Sequence, residues 1–366
     1  MNNLDNKNLY KKLDTDRVAE SIAALPDQLR QVLNDSQAIK IPKGYSQVNQ
    51  IVINGMGGSN LGAHIIKAVF CEELKAPLTI TPGYCVPASV DKNTLYVISS
   101  YSGNTEEPLS TYEEVKKRGA KILGITMQDT RCPDGHRVSK LADLMEKNNL
   151  PGYRFKVEHN PSTQPRLGVG YTNFGTVILL AKAGLLKIDV QEMEKIINRL
   201  EANGEKLKLS EPIKNNRAKQ LAAKLYNKIP VIVAAEHLEG NLQIMRNQFN
   251  ETSKNFASYL ILPDLNHYAM EGLSYPKSNN KNLAFFFIDS ALYHPRAQRR
   301  AVLTKQVVKK NNITVLDYQA VGQTKLEQAL EILQLGSWLT YYLGMLNNVN
   351  PVKIPWVDWF KQELEK

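Results

Sequence analysis

Between residues 95 and 105 the chain reads Leu-Tyr-Val-Ile-Ser-Ser-Tyr-Ser-Gly-Asn-Thr. An apolar, β-branched run stops abruptly at small hydroxylated residues, and Leu109, Tyr112 and Val115 then recur at helical spacing. A run apolar at successive positions predicts a strand buried on both faces, followed by a tight loop and a helix whose first turn sits over it. Asn104 and Glu107 have the spacing of a capping box, and Pro108 is tolerated in a first turn. The hydroxyls of Ser100, Ser102 and Thr105 then gather beside backbone N–H groups at the positive end of a helix dipole. That chemistry suits a phosphate dianion held by hydrogen bonds.

The same alternation surrounds this stretch. Gln50–Asn54 predicts a strand running into Gly55-Met56-Gly57-Gly58-Ser59, and Leu61, Ile65, Ala68 and Val69 predict the helix behind it. Further strands are expected near 78–81 and at Lys121–Thr126, which together make a doubly wound parallel sheet with ligand at its carboxyl edge. Ahead of it, 14–35 reads as one helix interrupted by Pro26. Behind it, the Asn-, Pro- and Gly-rich stretch 146–168 reads as a surface loop before a helix over 170–184. After a polar helical region at 189–227, a second alternation begins. It has strands at Val231–Ala235, Tyr259–Leu262, Leu283–Ile288 and Ile313–Leu316, with helices over Leu238–Lys254, Arg296–Asn311 and 324–347. The fold class is therefore α/β, with two similar halves in tandem.

Composition narrows the classes of partner. A chain of 366 residues has room for two domains, and none of its apolar runs reaches the roughly 18–20 residues of a membrane span. The opening Met1–Asn6 lacks the apolar core of a signal peptide, and Cys71, Cys85 and Cys132 show no paired spacing. A reduced, cytoplasmic chain is the expectation. The net charge of +10 is spread along the chain and interleaved with acids, as in Glu113-Glu114-Val115-Lys116-Lys117-Arg118. Even the basic stretch Arg296–Lys310 reads as a solvated helix face, so acidic small molecules are better partners than nucleic acid.

Gly55–Ser59 is not a dinucleotide fingerprint, because Asn60 replaces the third glycine and Ile80-Thr81-Pro82 carries no acid at the next strand end. No nucleotide-triphosphate loop and no G-x-S-x-G turn occur. The six histidines lack metal-ligand spacing, and in Glu236-His237-Leu238-Glu239 consecutive helical positions would point apart. Two loops, each following a strand of one sheet, point instead to a sugar-phosphate site. In the second half, Glu251 and Lys254 alone read as an i,i+3 surface pair, and His267, just past a strand end, as a hydrogen-bonded structural residue.

Taken together, several segments resemble the bifunctional phosphoglucose/phosphomannose isomerases, built from two sugar-isomerase (SIS) domains. They are Gly55–Ser59, Ser99–Glu107, Pro165-Arg166, Asn250–Lys254, Leu265-Asn266-His267, Asn350-Pro351 and Val357–Lys361, with Leu25–Leu29 near the start. The resemblance runs in order along nearly the whole chain. It implies two tandem SIS domains, each a doubly wound parallel sheet flanked by helices. An arm and first domain would cover residues 1–190, a second domain 191–349, and a closing tail 350–366. It further implies that Gly57, Gly58, Ser59, Ser100, Ser102 and Thr105 hold the substrate phosphate. Glu251 would be the base, Arg166 would sit beside the reacting carbons, and Lys361 would be a closing contact from the tail. His267 would open the ring, reaching in from the second subunit of a homodimer.

The implied activity interconverts glucose 6-phosphate, and mannose 6-phosphate, with fructose 6-phosphate without metal or organic cofactor. The chemistry agrees. A carboxylate of raised pKa can carry a proton between adjacent carbons, an arginine holds charge without losing its own proton, and a histidine donates and accepts near neutrality. The alternatives are an SIS isomerase of different substrate and a sugar-phosphate sensor without chemistry. The chain departs from the family pattern at Met127-Gln128-Asp129, where small residues are usual. It departs again at Asn350-Pro351-Val352, where the family carries Asp-Pro and a hydroxylated residue.

Overall fold

The structure, a computed structural model, describes residues 3–128, 139–364 and 366, so Asp129 and Cys132 lie outside the described residues. The chain opens with three short helices, α1 (Lys7–Leu13), α2 (Val18–Ala23) and α3 (Leu25–Asp35). The single helix expected over 14–35 is divided at Ala24 rather than at Pro26. Pro26 sits in the first turn of α3, where a missing N–H forfeits no intrahelical bond.

The first α/β half comprises β1 (Gln50–Gly55), α4 (Gly58–Val69), β2 (Leu78–Ile80), β3 (Thr94–Ser99), α5 (Glu106–Ser110) and α6 (Tyr112–Lys117). It continues with β4 (Lys121–Met127), α7 (Lys140–Lys147), β5 (Gly152–Phe155) and α8 (Gly175–Lys182). Its five parallel strands lie in the order β2-β1-β3-β4-β5. β5 falls inside the stretch expected to be irregular. Four residues in a Gly/Pro-rich segment carry little strand signal of their own. The strand forms because β4 offers a free edge and the Phe155 ring stacks on Tyr171 at a centroid distance of 4.8 Å. The helix expected over 170–184 begins instead as a wider π turn, Gly170–Phe174.

The second half comprises α9 (Val190–Glu205), α10 (Arg217–Leu225), β6 (Ile229–Ala235), α11 (Glu239–Glu251), β7 (Ser258–Leu262) and α12 (Asn279–Asn282). Then follow β8 (Leu283–Ser290), α13 (Pro295–Lys310), β9 (Thr314–Ala320), α14 (Lys325–Leu346) and α15 (Pro355–Leu364). The parallel order is β7-β6-β8-β9.

Every residue from Leu326 to Leu346 in α14 is buried, because this helix packs against α9, α10, α11 and the amino-terminal helices at once. Its buried carboxylates are satisfied internally: Glu327 pairs with Arg199, and Glu331 accepts from Tyr318 and from the N–H groups of Val321 and Gly322. The seam between the halves is α4 against α11, close enough that a Cβ on Gly240 would lie 2.4 Å from the carbonyl oxygen of His64. Among the described residues no helix is long and apolar enough to cross a membrane.

Candidate active site

In the first sheet the connections run one way from β1 to β2 and the other way from β3 onward, so the crevice between the carboxyl ends of β1 and β3 is a topological switch point. Gly55 and Ser99 face each other there in register. The loops that follow are tied together through Ser59: its hydroxyl accepts from Tyr101 N at 2.7 Å, and its carbonyl accepts from Ser99 Oγ at 2.7 Å. Gly57 turns the chain at φ +50°, a backbone region that favours glycine, and α4 starts on Gly58 without a side-chain cap.

In the serine loop the buried Ser100 hydroxyl lies 2.7 Å from Thr105 Oγ1, and half-buried Ser102 accepts from Asn104 N at 3.3 Å. The capping box expected from Asn104 and Glu107 does not form. Thr105 is the residue flanking α5, and Asn104 Oδ1 instead accepts from Lys140 N at 3.2 Å, bracing the start of α7. Both helices that begin at this crevice therefore lack a side-chain cap, the condition under which first-turn N–H groups can serve an anion. At the departure from the family pattern, Met127 N donates to Tyr101 O at 3.1 Å, so β4 supports the serine loop from beneath.

Arg166 lies against this cradle. A Cβ on Gly58 would stand 3.3 Å from the Arg166 backbone, so a glycine there permits the close approach. The guanidinium is almost fully buried. Its Nη2 donates to the carbonyls of Pro351 (3.0 Å) and Val352 (2.8 Å), and its Nη1 donates to Gln164 Oε1 (3.2 Å) and stands 3.8 Å from Glu251 Oε2. Burial pushes the guanidinium pKa down, while the charges of Glu251 and Asp358 pull it up. Glu251 is the last residue of α11, so the second half of the chain brings a carboxylate to Arg166, which lies against the Gly57–Ser59 loop of the first.

Glu251 and Lys254 do not form the i,i+3 pair that the sequence suggests. The helix ends at Glu251, three residues short of the expected limit, and Lys254 takes a left-handed backbone (φ +52°). That turn directs its ammonium to Asn350 O at 2.7 Å.

The other two residues predicted for the site, His267 and Lys361, lie apart from this cluster. His267 is exposed on the short turn Asp264–His267 after β7, and Lys361 is exposed on α15. Among the described residues, no hydrogen bond or ion pair within the chain joins either to Arg166 or Glu251. α15 still reaches the site electrostatically through Asp358. A cavity of about 410 Å³ opens beside Gly57, between α4 and α11, with Asn60, His64, Gln243 and Asn247 among its walls. No three His, Cys, Asp or Glu side chains among the described residues converge as metal ligands. Sequence reasoning gives no role to the carbonyls of 350–352 or to Gln164, because carbonyl acceptors leave no mark in a side-chain pattern.

Two parallel α/β halves in tandem, with a crevice between the carboxyl ends of β1 and β3 faced by a carboxylate–arginine pair drawn from both halves, have the architecture of the two-SIS-domain sugar-phosphate isomerases. Residues 44–131 match the SIS domain family, and residues 214–364 match the family described as bacterial phospho-glucose isomerase C-terminal SIS domain. The chain belongs to the bifunctional phosphoglucose/phosphomannose isomerase family. The member from Caldicellulosiruptor bescii is 30% identical over 350 residues, covering 94% of this chain and 98% of that one. The member from Aquifex aeolicus is 29% identical over 328 residues, covering 89% and 93%. Among solved structures, a hypothetical protein from Thermus thermophilus shares the fold with a TM-score of 0.74 at 16% identity, covering 98% of this chain and 92% of that one. The tagatose-6-phosphate ketose/aldose isomerase of Escherichia coli does so at 0.68 and 14%, covering 91% and 93%.

Proposed function

We propose that this chain interconverts fructose 6-phosphate with glucose 6-phosphate and with mannose 6-phosphate, through an enediol and without a metal, as a cytoplasmic homodimer. Residues 1–190 supply the phosphate loops and Arg166, residues 191–349 supply Glu251, and 350–366 form the closing tail. The phosphate sits over Gly57, Gly58 and Ser59 and under Ser102 and Thr105, with Ser100 aligning the Thr105 hydroxyl. His267 of the partner subunit opens the ring, and Lys361 closes on the bound sugar from α15. Glu251 takes the proton from C2 of the aldose and returns it to C1. The C1 oxygen gains a proton as the enediol forms, and the C2 oxygen loses its own as the ketone forms. Arg166 faces the oxygen on which negative charge develops.

What supports this reading is the contact chain from Gly58 through the Arg166 backbone to the Glu251 carboxylate, which lies within one arginine's length of the Gly57–Ser59 loop. A coupled assay for glucose 6-phosphate and mannose 6-phosphate formed from fructose 6-phosphate, with and without a chelator, tests it. We expect turnover in both conditions, and we expect Glu251→Gln to lower kcat by about 10²–10⁴-fold with KM within about tenfold. Wild-type protein inert toward both sugars, or Glu251→Gln with undiminished kcat, would overturn it.

A further inference from the structure

Lys254 is half-buried, sits outside regular structure, and has no part in the acid–base scheme above. Its backbone is left-handed three residues past the end of α11, a conformation that favours glycine or asparagine. Its ammonium, close enough to Glu251 and Arg166 to feel both charges, is spent on the carbonyl of Asn350 at 2.7 Å. The next two carbonyls, of Pro351 and Val352, are the acceptors for Arg166 Nη2. Three consecutive carbonyls of one turn are thus held by the two cations of the site.

The turn is braced from its other side as well. Asn350 Oδ1 accepts from Val352 N (2.7 Å) and Lys353 N (3.1 Å), and Asn350 Nδ2 donates to Thr15 Oγ1 and Asp16 Oδ2, each at 3.2 Å. Fixing this turn fixes which way Arg166 points. With both acceptors engaging Nη2, Nη1 is the nitrogen turned toward Glu251.

We propose that Lys254 is a positioning residue for the isomerisation, clamping the 350–352 turn so that Arg166 presents Nη1 to Glu251 and to the reacting oxygen. The diversion of Lys254 onto a neutral carbonyl has a second consequence: among the described residues no lysine pairs with Glu251, whose ion-pair partner is Arg166. The inference rests on the isomerase reading of this site.

The charged groups around the ammonium are Glu251 at the end of α11, Arg166 from the first half, Asp16 through the Asn350 side chain, and Asp358 of α15 beyond Arg166. Burial, then the charge of Arg166, push the Lys254 pKa down to about 8, with Glu251 opposing. The proton is therefore lost, and the clamp weakened, as pH rises through that region.

The test is steady-state kinetics on the full-length wild type, Lys254→Met, Lys254→Arg and Asn350→Ala, with fructose 6-phosphate as substrate across pH. Lys254→Met keeps the aliphatic stem and should lower kcat up to about a hundredfold while KM moves no more than about threefold, the signature of a displaced reacting geometry. Lys254→Arg should recover most of the loss and carry activity further into the alkaline range, because its guanidinium stays protonated. Asn350→Ala loosens the same turn from the opposite side, should reproduce the kcat loss, and decides the matter if Lys254→Met fails to fold. An active wild type with wild-type kcat in both Lys254→Met and Asn350→Ala would overturn the inference while leaving the isomerase reading intact. A wild type inert toward both sugars would overturn both.

Discussion

At the scale of the residue, the site turns on what one guanidinium can do that an ammonium cannot. Arg166 donates to two tail carbonyls and to Gln164, and still presents an edge to Glu251. A lysine would keep the charge, but its single donor atom cannot span Pro351 O and Val352 O while facing a carboxylate on the other side. Arg166→Lys should therefore lower kcat/KM by about a hundredfold, with most of the loss in kcat. The measurement is the same isomerase assay, with a thermal unfolding scan to show that the buried cation is still accommodated. An Arg166→Lys enzyme of near-normal kcat would mean that charge alone, without the fork, suffices. Arg166 itself carries no local signature. Pro165-Arg166 stands out only through the resemblance to a family, whereas the hydroxyl-rich loop suggests an anion site from its own residues.

At the scale of the element, strands buried on both faces are the most legible part of this chain, because burial from two sides leaves continuous apolar runs such as 95–98 and 284–288. β5 is not legible, since a four-residue strand at a sheet edge owes its existence to the neighbour it pairs with. The end of α11 is hidden for a related reason. Thr252-Ser253-Lys254 contains neither glycine nor proline, so nothing in the sequence stops the helix, and the turn is imposed by the tertiary contact from Lys254 to Asn350. Asn104 misleads in the opposite sense, having the spacing of a cap but serving a different helix.

The terminal element, α15, is unusual in burying none of its residues within the chain, with Trp356, Trp359 and Phe360 all exposed. Deleting residues 354–366 should therefore leave the fold of a single chain standing, since the clamped turn at 350–352 is retained. Removing Asp358 and Lys361 should nevertheless lower turnover by about tenfold or more, as loss of a closing segment does. Far-ultraviolet circular dichroism beside the kinetic assay separates the two effects. A truncated chain of full activity would remove the tail helix from the mechanism.

At the scale of the whole molecule, the arrangement of His267 sets the problem. The cradle, Arg166 and Glu251 converge within one chain, but His267 lies exposed on a turn after β7, the edge strand of the second sheet. A histidine on that edge can serve a site of this kind if a second copy brings it there, and two-fold symmetry would make the exchange mutual, each subunit lending its histidine to the other. That geometry makes a quantitative prediction. In a dimer of one Glu251→Gln chain and one His267→Ala chain, one site collects both lesions and the other collects neither, its Glu251 and its borrowed His267 both intact. Equal amounts of the two inactive variants, unfolded together and refolded so that subunits redistribute at random, give half heterodimers, each with one whole site. The mixture should regain about a quarter of wild-type activity. Two variants whose lesions fall in the same site of the same chain would regain nothing, and sedimentation velocity on the refolded mixture shows whether dimers formed at all. Activity at the background of the separate variants, in a preparation that is dimeric, would place His267 in its own chain's site. Recovery near a quarter would instead make each chain's site incomplete without its neighbour, and would give the exposed histidine a role that its own chain's contacts do not.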